Sequence, residues 1–154
     1  MMTRDFNLSA LAGILRRSPG LAAKADISRV SARLGLDRDA STPVGDDCAA
    51  IADGDGFLLL AIEGFMNEFV AADPWFAGWC GVMVNLSDVA AMGGRAIAVV
   101  DALWAKGEAG AEPVLAGMKA AAERYGVPII GGHSNLSCNQ SQLSVAILGR
   151  AKKL

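Results

Sequence analysis

Residues 73–94 read Asp73-Pro74-Trp75-Phe76-Ala77-Gly78-Trp79-Cys80-Gly81-Val82-Met83-Val84-Asn85-Leu86-Ser87-Asp88-Val89-Ala90-Ala91-Met92-Gly93-Gly94. The stretch predicts one helix. Asp73 can cap it, Pro74 suits the first helical position, and Gly93-Gly94 can end it. It is apolar on nearly every side, as in a helix buried in a core. At about 100° per residue, Ala77, Gly81, Asn85 and Asp88 fall on one stripe, opposite Trp79 and Met83. Small residues ending in a carboxamide and a carboxylate therefore share a face. A carboxylate in a last helical turn opposes the macrodipole, and burial adds a desolvation cost. Asp88 is thus either a solvated or loop-bonded acid or a functional carboxylate.

Around this helix the chain is long enough, at 154 residues, for one full core. Its apolar, Ala- and Gly-rich composition and net charge of −2 point away from a basic nucleic-acid binder and from a disordered tail. No apolar run reaches membrane-spanning length, and residues 1–6 lack the apolar core of a signal peptide. A cytoplasmic protein with no membrane partner is expected. Cys48, Cys80 and Cys138 have no metal-site spacing and are expected as free thiols.

Upstream, residues 6–17 and 25–34 carry amphipathic helical patterns. Lys24, Arg29, Arg33 and Arg38 read as solvated surface, with a phosphate contact as the lesser alternative. A turn-rich linker at 39–44 leads into Gly45-Asp46-Asp47-Cys48-Ala49-Ala50-Ile51. Residues 48–52 and 57–62 read as a hairpin about Asp53-Gly54-Asp55-Gly56. Such pairing places Asp46, Asp47 and Glu63 at one end of a sheet. Downstream, 96–104 reads as a strand with Asp101 inside it, 113–125 as a helix, 127–130 as a strand entering Gly131-Gly132-His133-Ser134, 135–141 as a polar loop and 143–149 as a last strand. The expected fold is α+β: a mostly antiparallel, four-stranded sheet with helices on one face.

Clustered carboxylates repel one another unless a cation intervenes, and Mg²⁺ takes hard oxygen ligands together with phosphate oxygens. Gly131-Gly132, lacking Cβ atoms, lets backbone N–H groups approach a phosphate. Singly, Asp-Asp and Gly-Gly are more often turn chemistry. The residues by themselves support a metal- and phosphate-binding α+β domain.

Taken together, the Gly-Asp-Asp block, Asn85-Leu86-Ser87-Asp88-Val89-Ala90-Ala91-Met92-Gly93 and Gly131-Gly132-His133-Ser134 resemble the N-terminal ATP-binding domain of the aminoimidazole ribonucleotide synthetase-related superfamily. That superfamily includes thiamine-monophosphate kinase, selenophosphate synthetase and hydrogenase-maturation relatives, and the match looks closest to the methanogenesis marker 2-type branch. The amphipathic patterns make residues 1–39 an N-terminal helical segment; the resemblance, which covers roughly residues 40 to 150, implies 40–154 as the ATP-binding domain and a second domain beyond it. It implies Asp46, Asp47, Glu63 and Asp88 as Mg²⁺ ligands, and Asp46, Asp47, Asn85, Gly131, Gly132 and His133 as ATP contacts. Glu63 stands where these enzymes usually carry Asp. His133 departs from the Asp of thiamine-monophosphate kinase and is either a hydrogen-bonded loop residue or a phosphate contact; neutral imidazole is a poor Mg²⁺ ligand. The selenophosphate synthetase catalytic loop has no counterpart here. The resemblance further implies a small-molecule acceptor and a homodimer in which two sheets join into a barrel. The alternative is a non-catalytic nucleotide-binding or dimerisation module.

Overall fold

The computed structural model describes residues 7–36 and 44–154. The expected helix start at Phe6, the linker at 39–43, the 39/40 boundary and Arg38 lie outside the described residues, as does the Lys24 side chain. The chain forms two compact units, Met1–Asp46 and Asp47–Leu154. The first contains α1 (Leu8–Arg16) and α2 (Pro19–Leu34). Asn7 caps α1 by accepting from the Ala10 N–H at 3.1 Å, and α2 stops at Gly35 in the left-handed conformation. Large apolar residues of both helices, Leu8 and Ile14 of α1 and Ile27 and Val30 of α2 among them, are exposed.

The second unit is built on one sheet. Its strands are β1 (Ala49–Asp53), β2 (Gly56–Phe65), β3 (Arg95–Lys106), β4 (Ile129–Asn135) and β5 (Ser137–Ala151), in the order β1-β2-β5-β3-β4. The helices are α3 (Asn67–Ala72), α4 (Pro74–Ala91) and α5 (Gly107–Tyr125). The expected four-stranded sheet is therefore corrected to five strands, one pair of them parallel. β1–β2, β2–β5 and β5–β3 are antiparallel, whereas β3 and β4 run parallel. The reason is the connection: α5 carries the chain back along the sheet, and a strand–helix–strand crossover delivers its second strand parallel to the first. Residues 135 and 137–141, expected as a polar loop, are also strand, with Leu136 between β4 and β5. β5 extends upstream as far as Ser137, which pairs with Lys106, and the exposed positions of the ladder tolerate polar side chains.

α4 forms as its sequence predicts. The Asp73 carboxylate accepts from the Phe76 N–H at 3.2 Å, Pro74 opens the helix, and Gly93 follows it in the left-handed conformation. Its stripe of small residues faces the sheet: a Cβ on Gly81 would lie 2.7 Å from the Val145 Cγ2. Against α5 the approach is closer still, because a Cβ on Gly78 would overlap the Val114 carbonyl and one on Gly117 the Trp75 carbonyl. Between helices and sheet lie the buried Leu59, Val82, Val89, Val99, Leu103, Val114, Met118, Val145 and Ile147. The opposite, open face of the sheet exposes Ile51, Leu60, Ile62 and Val100.

Candidate functional site

One row across the sheet brings two acidic side chains onto the helix-covered face. Glu63 on β2 pairs with Val145 on β5, Val145 pairs with Asp101 on β3, and Asp101 pairs with Gly132 on β4. Directly opposed residues share a face, so Glu63 and Asp101 stand on the side of the buried Val145, with Cα atoms about 10 Å apart across two strand spacings. Asn85 meets the row from α4. It is fully buried, and its Nδ2 donates to the Gly81 carbonyl at 2.8 Å and the Val145 carbonyl at 3.0 Å. Those two bonds tie α4 to the centre of the sheet. The Asn85 Oδ1 is buried with no donor among the described residues, and the Asp101 Oδ2 is in the same position.

Asp101 is the site residue that sequence reasoning passed over. Its signal was present: it occupies the same parity in β3 as the buried Val99, Leu103 and Ala105, where an acid is out of place. Burial raises its pKa above the ordinary carboxylate range, against a lowering by its own backbone hydrogen bond. Gly132 makes room for it. A Cβ there would overlap the Asp101 Oδ1 and lie 2.5 Å from the Asp101 carbonyl oxygen. The missing side chain of Gly132 is therefore filled by a carboxylate, whereas a Cβ on Gly131 would meet open space.

His133 takes the other face. It pairs with Ala102, one position past the Asp101–Gly132 pair, and its ring lies 5.7 Å from that of Trp104. The structure thus separates it from Glu63, Asp101 and Gly132 by the thickness of the sheet. Asp88 lies in the last turn of α4, half-buried, three residues beyond Asn85. Asp47 precedes the buried Cys48 and the start of β1, whose Ala49 pairs with Leu60 on β2; Asp46 belongs to the other compact unit. Among the described residues, no three His, Cys, Asp or Glu side chains converge closely enough to hold a metal ion by themselves.

The donor set nevertheless suits a hard cation. The row and its neighbours offer carboxylate and carboxamide oxygens, and two buried acceptors have no donor among the described residues. Glycines on the edge strand β4 leave backbone accessible beside them. These features define an α+β domain with hard-oxygen side chains and a glycine-rich edge strand gathered around one buried helix.

The chain belongs to the AIR synthase related protein, N-terminal domain family, whose model matches residues 45–151. It is 51% identical over 144 residues to an uncharacterized protein of Synechocystis, covering 91% of this chain and 44% of that protein. It is 32% identical over 117 residues to thiamine-monophosphate kinase of Archaeoglobus fulgidus, covering 73% and 39% respectively. Among solved structures it is similar to AaThiL complexed with AMPPCP and TMP, with a TM-score of 0.67 and 23% identity over 97% of this chain and 45% of that one. The chain spans less than half the length of these relatives. Among the described residues, no helix is long and apolar enough to cross a membrane.

Proposed function

We propose that this domain is the nucleotide-binding part of an ATP- and Mg²⁺-dependent enzyme that transfers a phosphoryl group to, or activates, a small molecule. The observation that carries the reading is the family match across residues 45–151, which spans the Asp-Asp block, α4 and the glycine-rich edge strand in one domain. The resemblance to thiamine-monophosphate kinase, and to a structure holding AMPPCP and TMP, supports a nucleotide and a small acceptor.

In this reading Asp46, Asp47, Glu63 and Asp88 hold Mg²⁺, with Asn85 beside them. When bound, the metal neutralises phosphate charge and orients the transferring group. The chain's own residues do the positioning. Asn85 locks α4 onto the Val145 carbonyl, which fixes the helical turn bearing Asp88. Gly131 and Gly132, on an edge strand, present backbone N–H groups to phosphate oxygens. A second domain supplies the acceptor pocket, and two copies join through the exposed apolar face carrying Leu60 and Ile62.

Calorimetric titration of the intact protein tests this. Mg·ATP binds, ATP with chelator binds at least tenfold more weakly, and Asp88→Asn loses the Mg²⁺ dependence while keeping the wild-type melting temperature. Nucleotide binding that ignores Mg²⁺, or no binding at all, refutes the reading. Binding without phosphate transfer across a panel of small acceptors would instead favour a nucleotide-sensing or dimerisation module. That reading draws on the lack of three converging ligand side chains among the described residues.

A further inference from the structure

Arg150 lies five residues beyond Val145 on β5, about 17 Å along the strand from the row that holds Glu63 and Asp101. It is directly opposed to Arg95 on β3, and Lys152-Lys153 follow just past the end of β5. Like charges facing each other across a ladder repel, and here two more cations stand beside them. In a chain whose net charge is −2, such a concentration calls for an anion. The protein supplies part of one. The Asp53 carboxylate accepts from the Arg150 Nη1, and Asp55 accepts from its Nη2 at 2.9 Å. Those bonds draw Arg150 toward the hairpin turn and offset its charge. Among the described residues, Arg95, Lys152 and Lys153 make no ion pair.

These cations rim a cavity of about 680 Å³, within the range of small-molecule sites. Its lining includes Arg150 and Ala151, neighbours of opposite parity, and Gly93 and Lys153 beyond the last paired residues. The cavity therefore wraps the end of the sheet and belongs to neither face alone. Its apolar part has a structural cause. Ala96 pairs with Gly149 and Ala98 with Leu148, so Ile97 is an extra residue in β3, a bulge. The bulge leaves Ile97 43% exposed and in the cavity lining, together with Ala96 and Ala151. We propose that Arg95, Lys152, Lys153 and the Ile97 bulge form a binding site for a small organic dianion with an apolar body, separate from the nucleotide site. The lining holds no acid, so charge favours an occupant with at least two negative charges. A bare inorganic ion would leave the Ile97 surface in water. Phosphate monoesters and dicarboxylates share this chemistry. The inference rests on neither Mg²⁺ nor ATP.

Calorimetric titration of the intact protein with naphthyl phosphate and with naphthalene dicarboxylate tests the proposal. At least one of them binds, and which one does separates the phosphate source from the carboxylate source. Naphthol and inorganic phosphate each keep only half of the recognition and bind at least about tenfold more weakly. Arg95→Gln, and Lys152→Gln combined with Lys153→Gln, each weaken binding roughly 10- to 100-fold, the range of a charge-assisted hydrogen bond. Backbone amide NMR shifts at Gly93, Ile97 and Lys152 follow the titration and place the ligand at this end of the sheet. Asp88→Asn leaves binding unchanged, so failure of the Mg·ATP reading and failure of this site are seen separately. Ile62→Lys also leaves it unchanged, because the site needs no second copy. The proposal is overturned if neither dianion binds or if naphthol binds as tightly as its phosphate. It is equally overturned if both cation variants bind like wild type, or if Ile62→Lys abolishes binding and so moves the ligand to the interface between copies.

Discussion

Replacing Asn85 by Asp changes one nitrogen into an oxygen at a fully buried position. Asn85 now donates to two carbonyl oxygens, those of Gly81 and Val145, at 2.8 and 3.0 Å. A protonated Asp can serve only one of them, which costs about 1 kcal/mol. An ionised Asp serves neither and sets a carboxylate against two acceptors. Burial of this kind raises a carboxyl pKa by about 3–5 units, and at about 1.4 kcal/mol per unit the ionised variant loses about 4–7 kcal/mol. That approaches the whole stability of an ordinary domain, about 5–15 kcal/mol. The sign follows from proton binding: the folded variant holds its proton more tightly than the unfolded chain. Its extra cost is therefore absent below the ordinary Asp pKa, grows as pH rises, and levels off above the raised folded pKa. Urea unfolding at pH 5 and pH 8 should show the gap to wild type widening by about 3 kcal/mol. Asn85→Leu should show a loss that does not vary with pH. A gap for Asn85→Asp that stays below 1 kcal/mol, or stays constant with pH, refutes the claim that this carboxamide bolts α4 to the sheet.

Three further outcomes are expected. Gly132→Ala should cost about 1–3 kcal/mol by overpacking; adding Asp101→Ala should recover only part of that, since the Asp101 carbonyl remains 2.5 Å from the new Cβ. A double-mutant cycle showing no coupling would count against the contact. Asp101→Asn should gain stability relative to wild type as pH rises from the ordinary Asp range through the raised folded pKa of Asp101, because burial makes the wild-type carboxylate costly; parallel curves would argue otherwise. Ile62→Lys, at a side chain 69% exposed on the open face, should turn the proposed dimer into a monomer by light scattering without lowering the melting temperature. A dimer that persists would move the interface elsewhere.

Much of the architecture was legible locally. The 73–94 stretch holds its cap, its first-turn proline and its stop within the helix itself, and the spacing of Ala77, Gly81 and Asn85 already marked the face that meets the sheet. The Asp53–Gly56 hairpin was equally readable, since turn chemistry and apolar flanks lie side by side. Other parts were not. The six-residue α3 is too short for helical periodicity to show. α5 begins six residues before Pro113, the residue that looked like its start, because helix interiors can absorb a proline when packing outweighs the lost bond.

The candidate site divides along the same line. Residue types and their order were enough to nominate Asp46, Asp47, Glu63, Asn85, Asp88 and the glycine pair, since hard-oxygen side chains and Cβ-free backbone are written in the chain. Which of them share a face was decided by register. The β3–β4 ladder shifts at Val99–Val100, so Ile129 faces Val99 while Gly131 faces Val100. That one-residue slip sets the parity of everything after it, bringing Gly132 under Asp101 and sending His133 through to Trp104. A strand's sequence lists its side chains alternately. Only its pairing with a neighbour, through contacts dozens of residues away, says which alternate set looks at the helices and which looks out.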